Sequence, residues 1–492
     1  MKRRDFLKTV TAGVASLAMP GCRVATEPVS TTASAKKKPN FVFIIIDDLG
    51  WKDVGFISRA SDFQQPSGYY ETPNIDKLAG EGVVFTNAYA NAPNCAPTRA
   101  CLMSGRYTPR HGVYTVDTSE RGPANLRKLI PIPNNPNLDS NIVTIPEALK
   151  PAGYVSACIG KWHLGSKAPH QPQDQGFDVV FDRSHPGHFS PEGQYLTDRL
   201  TDEAIKFIEA SKDRPFFLYL SHHAVHTPIQ AKKEIIEKYK KKQPSGGHNN
   251  PTYAAMIESM DRSVGRVMDK LDELGLTDNT VVFFFSDNGG VGGYRKLGIK
   301  DSEITSNAPL RGGKGMLYEG GIRVPLAIRW PGQAKANSAR PGEGRGRSGI
   351  CDVPVIGIDF YPTILEIAGV QKPAEQILDG KSIVPLLRGK GSFKRDEIFW
   401  HFPAYLQGSE GTWRTTPAGA VRQGDWKLIE FFEDGRLKLY NLKDDISEKN
   451  NLAEKMPNKT ELLRRVLVDW RKSVTAPVPT EKNPQYDPNA NK

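Results

Sequence analysis

The stretch Asn94-Cys95-Ala96-Pro97-Thr98-Arg99-Ala100-Cys101-Leu102-Met103-Ser104-Gly105-Arg106 sets a cysteine one step before a helix start. Pro97 suits a first helical position, where its missing N–H would be unpaired anyway. Gly105 is a stop signal. Position 95 then meets the positive end of a helix, with Arg99 one turn on, a setting that favours an anion. A small structural cysteine in a turn is the competing reading of this local chemistry. A second stretch, Leu310-Arg311-Gly312-Gly313-Lys314-Gly315, surrounds a lysine with glycines and runs on to Glu319-Gly320-Gly321-Ile322-Arg323-Val324-Pro325. Glycines let backbone and ammonium approach an anion closely. The spacing and the absent hydroxyl exclude a P-loop.

The remaining polar groups of interest share one layout, and it says which elements must hold them. Phe41-Val42-Phe43-Ile44-Ile45-Ile46 is an unbroken apolar run that stops at Asp47-Asp48-Leu49-Gly50. Such a run fits a strand buried on both faces, as in a parallel sheet. Tyr154-Val155-Ser156-Ala157-Cys158-Ile159 leads into Gly160-Lys161-Trp162-His163. Phe216-Phe217-Leu218-Tyr219-Leu220 leads into Ser221-His222-His223-Ala224-Val225-His226, and Thr280-Val281-Val282-Phe283-Phe284-Phe285 into Ser286-Asp287-Asn288-Gly289. In an open α/β sheet the carboxyl ends of the strands line one crevice, where ligands bind. Adjacent carboxylates in a loop are ordinarily just solvated; directly after a central strand, Asp47 and Asp48 point to a hard-metal site. An all-oxygen set with one amide suits a hard cation.

Two of these stretches resemble the signatures of the sulfatases, in the alkaline phosphatase superfamily. Their pattern Cys-x-Pro-Ser-Arg, followed by a small-apolar helix ending Gly-Arg, is matched from Cys95 to Arg106, with Thr98 replacing the usual serine. Their second signature, Gly-x-Lys-Gly followed by Glu-Gly-Gly-x-Arg-x-Pro, is matched from Gly312 to Pro325. The resemblance runs in order from about residue 40 to 380. It implies that Cys95 is oxidised by a maturation enzyme to formylglycine, whose hydrate is the nucleophile. It implies that Asp47, Asp48, Asp287 and Asn288, with the oxygen made from Cys95, bind a divalent ion, usually calcium. It gives Arg99 the formylglycine to hold, His163 the formylglycine hydroxyls to serve, and Lys161, His226 and Lys314 the sulfate to contact. His226 becomes the candidate acid for the leaving alcohol. His222 and His223 match nothing and are read as structural or supporting.

Composition sets the outer bounds. The 492 residues are 38% hydrophobic and 25% charged, which excludes wholesale disorder. The net charge is +11, but residues 1–21 contribute +3 of it through Lys2, Arg3, Arg4 and Lys8 against Asp5. The mildly basic remainder suits anionic ligands, and no nucleic-acid motif is present. Lys2-Arg3-Arg4-Asp5-Phe6-Leu7-Lys8 resembles a twin-arginine export signal, and the apolar stretch from Val10 to Met19 is too short to span a bilayer. The protein is therefore expected to be exported, periplasmic or extracellular. Cys22 after Gly21 is a candidate lipid anchor. The five cysteines fit no zinc or disulfide framework, so Cys101, Cys158 and Cys351 are expected to be buried free thiols.

The expected order is an export signal (1–21), a disordered tether (22–39), a catalytic domain (40–385), a C-terminal α+β subdomain (386–476) and a tail (477–492). Helices are expected after Thr72-Pro73, over 195–211, over 251–274 and over 359–368, so the class is α/β with a large, mostly parallel mixed sheet. Residues 342–347 form a basic loop. Short strands at Ile398–402, 418–422, 426–431 and 437–440 and a helix over 462–470 resemble the small antiparallel C-terminal subdomain of sulfatases. His401, Trp413 and Arg414 are candidates for the sugar side of the pocket. The function expected from the resemblance is hydrolysis of a sulfate ester on a sulfated saccharide. A phosphate or phosphonate ester hydrolase of the same superfamily and a non-catalytic binder of sulfated glycans stand as alternatives.

Overall fold

Residues 41–46 have no polar side chain to offer to water, and the fold exposes none of them. In the computed structural model, which describes residues 37–60, 68–182, 186–334, 349–409 and 411–490, strand β1 (Asn40–Ile46) is buried along its whole length. The expected export signal, Cys22, the tether up to residue 36 and the basic loop 342–347 lie outside the described residues.

Among the described residues fifteen further strands follow β1. They are β2 (Val83–Phe85), β3 (Ala88–Tyr89), β4 (Val155–Gly160), β5 (Val179–Phe181), β6 (Phe216–Ser221), β7 (Thr280–Ser286), β8 (Leu326–Arg329), β9 (Ile350–Cys351), β10 (Val355–Ile356), β11 (Glu397–Phe402), β12 (Leu406–Gln407), β13 (Trp413–Thr415), β14 (Ala418–Gln423), β15 (Trp426–Phe431) and β16 (Leu437–Asn441). Eight of them form one sheet in the order β5-β4-β6-β1-β7-β8-β2-β9. From β5 to β7 every pairing is parallel, and β8 runs against both β7 and β2. The register is what matters for the site. Ile45 lies opposite both Ser221 and Phe285, Ile46 opposite Ser286, and Gly160 opposite Ser221. The four polar endings read in the sequence therefore emerge level with one another.

Successive side chains of a strand point to opposite faces, and helices cover both. Val42, Ile44 and Ile46 share a core with Ile75 and Leu78 of helix Pro73–Gly80, Leu200 and Ala204 of helix Leu196–Ser211, and Met256 and Met260 of helix Pro251–Glu273. Phe41, Phe43 and Ile45 pack on Ala96, Ala100 and Met103 of helix Cys95–Ser104 and on Phe360 and Ile364 of helix Phe360–Ala368. Each fully buried side chain of this size contributes about 1.5–3 kcal/mol. The two faces thus hold the sheet, and with it the register of the strand ends.

The C-terminal part is an antiparallel sheet in the order β11-β14-β15-β16, with helix Pro457–Ser473 packed on it. That helix is longer than the 462–470 stretch expected, because its first turn carries Pro457 and polar residues that give no apolar period. Trp400 Nε1 donates to Ala90 O at 2.8 Å, and Lys427 of β15 reaches Glu319 of the glycine-rich stretch at 2.8 Å. Cys101, Cys158 and Cys351 are buried free thiols. Among the described residues no helix is long and apolar enough to cross a membrane.

Candidate active site

Helix Cys95–Ser104 begins at Cys95, with Asn94 extended before it and Gly105 left-handed after it (φ 68°). Pro97 is therefore the third helical residue and not the first, still within the turn whose N–H groups lack intrahelical partners. Thr98 explains why a hydroxyl, and not serine as such, is needed. Its Oγ1 donates to Ala92 O and accepts from Ala92 N, both at 3.1 Å, and so ties the turn before the helix to its first residues. Arg99, fully buried, sends Nε and Nη2 to Asp287 Oδ2 at 2.9 and 2.7 Å and Nη1 to Lys161 O at 2.8 Å. A fourth contact joins Nη1 to Ser221 Oγ. One guanidinium thereby fastens the helix start to the ends of β4, β6 and β7.

The lysines converge on the two acids after β1. Lys161 Nζ meets Asp47 Oδ2 at 2.5 Å, and Lys314 Nζ meets Asp48 Oδ1 at 2.7 Å and Oδ2 at 2.8 Å. Asp48 takes a left-handed backbone (φ 65°), which aspartate tolerates better than most residues. Its N–H donates to Asp287 Oδ1 at 3.2 Å, and Asn288 Nδ2 donates to its Oδ1 at 2.8 Å. The glycines around Lys314 are required by space: a Cβ on Gly313 would lie 2.3 Å from Gly292 O, and Gly315 has φ +90°. His226 Nδ1 faces Thr227 O at 2.7 Å, so the carbonyl keeps the proton on Nδ1, and Nε2 lies 3.7 Å from Asp48 Oδ2. His163 has φ 64° and a buried Nδ1 without a hydrogen-bond partner. Burial, then Lys161 and Arg99, push its ring down to about 3, so it is neutral.

Each of the three acids meets a cation: Lys161 at Asp47, Lys314 at Asp48 and Arg99 at Asp287. Burial works to raise Asp47, and Lys161, His226 and Arg99 outweigh it, holding the group well below the ordinary carboxylate range. Burial and then the Asp47 charge push Asp287 up to about 8 despite Arg99. Two buried oxygens that could bind a cation, Asp47 Oδ1 and Asn288 Oδ1, have no hydrogen-bond partner. Ligand atoms of Asp47, Cys95 and Asp287 lie within 4.8 Å of one another, as do those of Asp47, Asp48 and His226. Unpaired hard oxygens and clustered carboxylates fit a divalent cation. Asp47, Asp48, Asp287 and Asn288 are the residues that could hold it.

Above this floor lies a cavity of about 680 Å³, lined by Asp47, Asp48, Cys95, Lys161, His163, His226 and Lys314, while Arg99, Asp287 and Asn288 sit buried beneath. All ten expected metal and catalytic residues are thus brought together. Of the three sugar-side candidates, only Arg414 lines the cavity; its Nε is held by Asp301 Oδ2 at 2.6 Å and its guanidinium lies 4.6 Å from the Tyr294 ring centre. His401 is corrected by the structure: it is buried in the C-terminal core with Nε2 facing Pro477 O at 2.8 Å. Trp413 is corrected too, since its ring packs on Tyr405 and lies off the cavity.

Several lining residues escaped the sequence reading: Asn94, Arg121, Asp182, His223 and Ser302. His223 Nε2 meets Asp182 Oδ1 at 2.6 Å at the cavity wall. A signal for Asp182 was present. Val179-Val180-Phe181 is a fifth strand ending in a carboxylate, but three residues are too few to register as a period. His222, by contrast, is buried against Ser263 Oγ at 3.0 Å, away from the cavity.

Residues 39–370 match the family model described as Sulfatase, and residues 313–472 match that of the N-sulphoglucosamine sulphohydrolase C-terminal region. A Formosa agariphila protein named Sulfatase is 34% identical, over 88% of this chain and 87% of its own. N-acetylgalactosamine-6-sulfatase of Mus musculus is 32% identical, over 75% of this chain and 70% of that one. The crystal structure of Ps i-CgsB in complex with k-i-k-neocarrahexaose superposes with a TM-score of 0.69 at 29% identity, covering 88% of this chain and 93% of that one.

Proposed function

The chain belongs to the sulfatase family, of the alkaline phosphatase-like superfamily, and from that premise we propose that it is an exported enzyme that removes sulfate from a sulfated polysaccharide through a formylglycine made from Cys95 and a bound calcium ion. As a sulfatase it is a sulfuric ester hydrolase. One observation carries the finer reading: Cys95 lies at a helix start with its sulfur within 4.8 Å of ligand atoms of Asp47 and Asp287, in a cavity whose other walls supply two lysines and three histidines. The saccharide class is supported by the relatives named for sulfated sugars and by the bound neocarrahexaose of Ps i-CgsB.

When present, calcium and the formylglycine hydrate would supply an oxygen nucleophile at position 95 that is active at neutral pH. The chain's own residues then have separable tasks. Lys161 pairs with Asp47 and Lys314 with Asp48, and both line the cavity, where their ammonium groups would meet the non-bridging sulfate oxygens. Arg99 holds Asp287 and the helix start in place and does not reach the cavity. His226 keeps Nδ1–H on Thr227 O and presents Nε2 to the cavity, where it can hold the proton that the departing alcohol oxygen needs. His163, held neutral by burial, Lys161 and Arg99, becomes a better proton acceptor once an anionic sulfate lies beside it.

The competing phosphate-ester reading is decided by kcat/KM on matched 4-nitrophenyl sulfate and phosphate, together with a panel of sugar sulfates. Preference for sulfate, with sulfate released from at least one sugar, supports the proposal. A clear preference for phosphate, or release only from aryl esters, would contradict it.

A further inference from the structure

The catalytic cavity borders a second one, with which it shares part of its lining. His163 and Asp182 line the first cavity and also line a neighbouring one of about 800 Å³. Cavities of about 300–1,000 Å³ take small-molecule ligands, so each of these can hold at least one sugar ring. The two differ in charge. Arg121, Lys161, Lys314 and Arg414 face the first. Among the described residues lining the second there is no lysine or arginine, and three carboxylates are present: Asp117, Asp178 and Asp182. Cations that pair with two of them, Lys150 with Asp178 at 3.0 Å and Arg121 with Asp117 at 3.7 Å, are not part of its lining.

The rest of that lining suits a polyol. Pro136, Pro172 and Val180, the last 39% exposed at the sheet edge, supply apolar surface. Asn137, Gln171 and Gln173 supply amides, with Gln173 Nε2 donating to Gln171 Oε1 at 2.8 Å. A sugar ring offers C–H faces to the first set and hydroxyls to the second, and carboxylates accept hydrogen bonds from hydroxyl groups. A second sulfate there would instead meet like charges.

We propose that the second cavity binds an uncharged sugar residue joined to the sulfated one, so that the enzyme selects chains in which the neighbour of the scissile sulfate carries no anion. This rests on reading the first cavity as the place of the sulfate ester. Asp182, shared by the two cavities and fixed by His223, is the specificity-determining residue at the junction.

The test is calorimetric binding to the full-length Cys95→Ala variant with calcium present, which separates recognition from turnover. The probes are galactose and N-acetylgalactosamine monosulfates, each free, joined to unsulfated galactose on either side, or joined to galactose monosulfate. At least one monosulfate should bind fivefold or more tighter with a neutral neighbour and lose that gain when the neighbour is sulfated. Gln173→Lys, an exposed change, should cancel or reverse the penalty of the second sulfate. A neutral neighbour adding less than twofold throughout, or a second sulfate tightening binding to the chain with Gln173 in place, would overturn the proposal. Sulfate release by the matured protein from the same probes is scored separately: its absence would overturn the catalytic reading and leave the binding result standing.

Discussion

Replacing Lys427 with methionine removes the ammonium that joins the C-terminal sheet to the glycine-rich stretch. Lys427 Nζ lies 2.8 Å from Glu319 Oε1 and 3.0 Å from Glu448 Oε1, and all three side chains are fully buried. Glu319 keeps other partners, Tyr89 OH at 2.7 Å and Arg323 at 3.5 Å, and Glu448 keeps the N–H of Glu319 at 2.7 Å. Breaking a buried pair from one side costs about 3–5 kcal/mol, because the remaining charge is left uncompensated. For a unit of this size, unfolding entropy converts that to a fall of about 3–5 °C in the thermal midpoint. The pH dependence gives the sharper test. Burial, opposed chiefly by Lys427, sets Glu448 at about 7 against 4.5 for an ordinary glutamate. Its folded value is raised, so the stability present below 4.5 is progressively lost as pH rises toward 7. Without the ammonium that window extends above 7, and Glu319, now held at about 2, rises with it. The deficit of Lys427→Met should therefore be larger at about pH 8 than at about pH 5.5, and Lys427→Met/Glu448→Gln should recover part of it. Differential scanning calorimetry at both pH values measures this. A midpoint within 1 °C of the parent, or a larger loss in acid, would refute the reasoning.

Lys314→Ala should lower kcat/KM for sulfate esters by about 10²–10³ with the fold intact, as expected for loss of one cation aimed at developing charge; steady-state rates with a circular-dichroism control check it. Gly313→Ala should cost about 10²-fold in activity, since a Cβ 2.3 Å from Gly292 O must displace the loop that aims Lys314; restoration of the rate by no change in substrate concentration would mark it as a loss in kcat. Removing divalent ions with a chelator should abolish sulfate release and lower the thermal midpoint. Calcium at about a hundred times its Kd should return about 2.7 kcal/mol of stability, and a midpoint indifferent to calcium would contradict the assignment of Asp47, Asp48, Asp287 and Asn288.

The residues proposed to hold the metal and act on the ester could be picked out because each carries its own local signal. Asp47, Lys161, His226 and Asp287 follow strands whose apolar runs need no partner to be recognised, and β-sheet register brings such endings level. Cys95 and Lys314 lie in motifs dense with glycine, proline and charge. The sugar side was not legible for the opposite reason. Arg121 and Ser302 reach the cavity from segments far apart in the chain, with nothing in their neighbours to fix where they point, and the three-residue strand before Asp182 is too short to show a period. His401 misled because an aromatic beside tryptophan reads equally as sugar platform or core, and here the core claimed it. The strands β2, β8 and β9 were missed because four residues or fewer show no period, although together they make the sheet mixed.

The central claim is that Cys95, once oxidised, is the nucleophile. Its most direct test is the mass of the peptide carrying Cys95, from protein produced beside a formylglycine-generating enzyme, measured together with sulfate release by the same preparation. The account predicts a peptide that has lost the thiol and gained an aldehyde, with activity rising in proportion to the converted fraction and absent from Cys95→Ala. Sulfate release that continues while Cys95 remains a thiol, or that survives in Cys95→Ala, would contradict it.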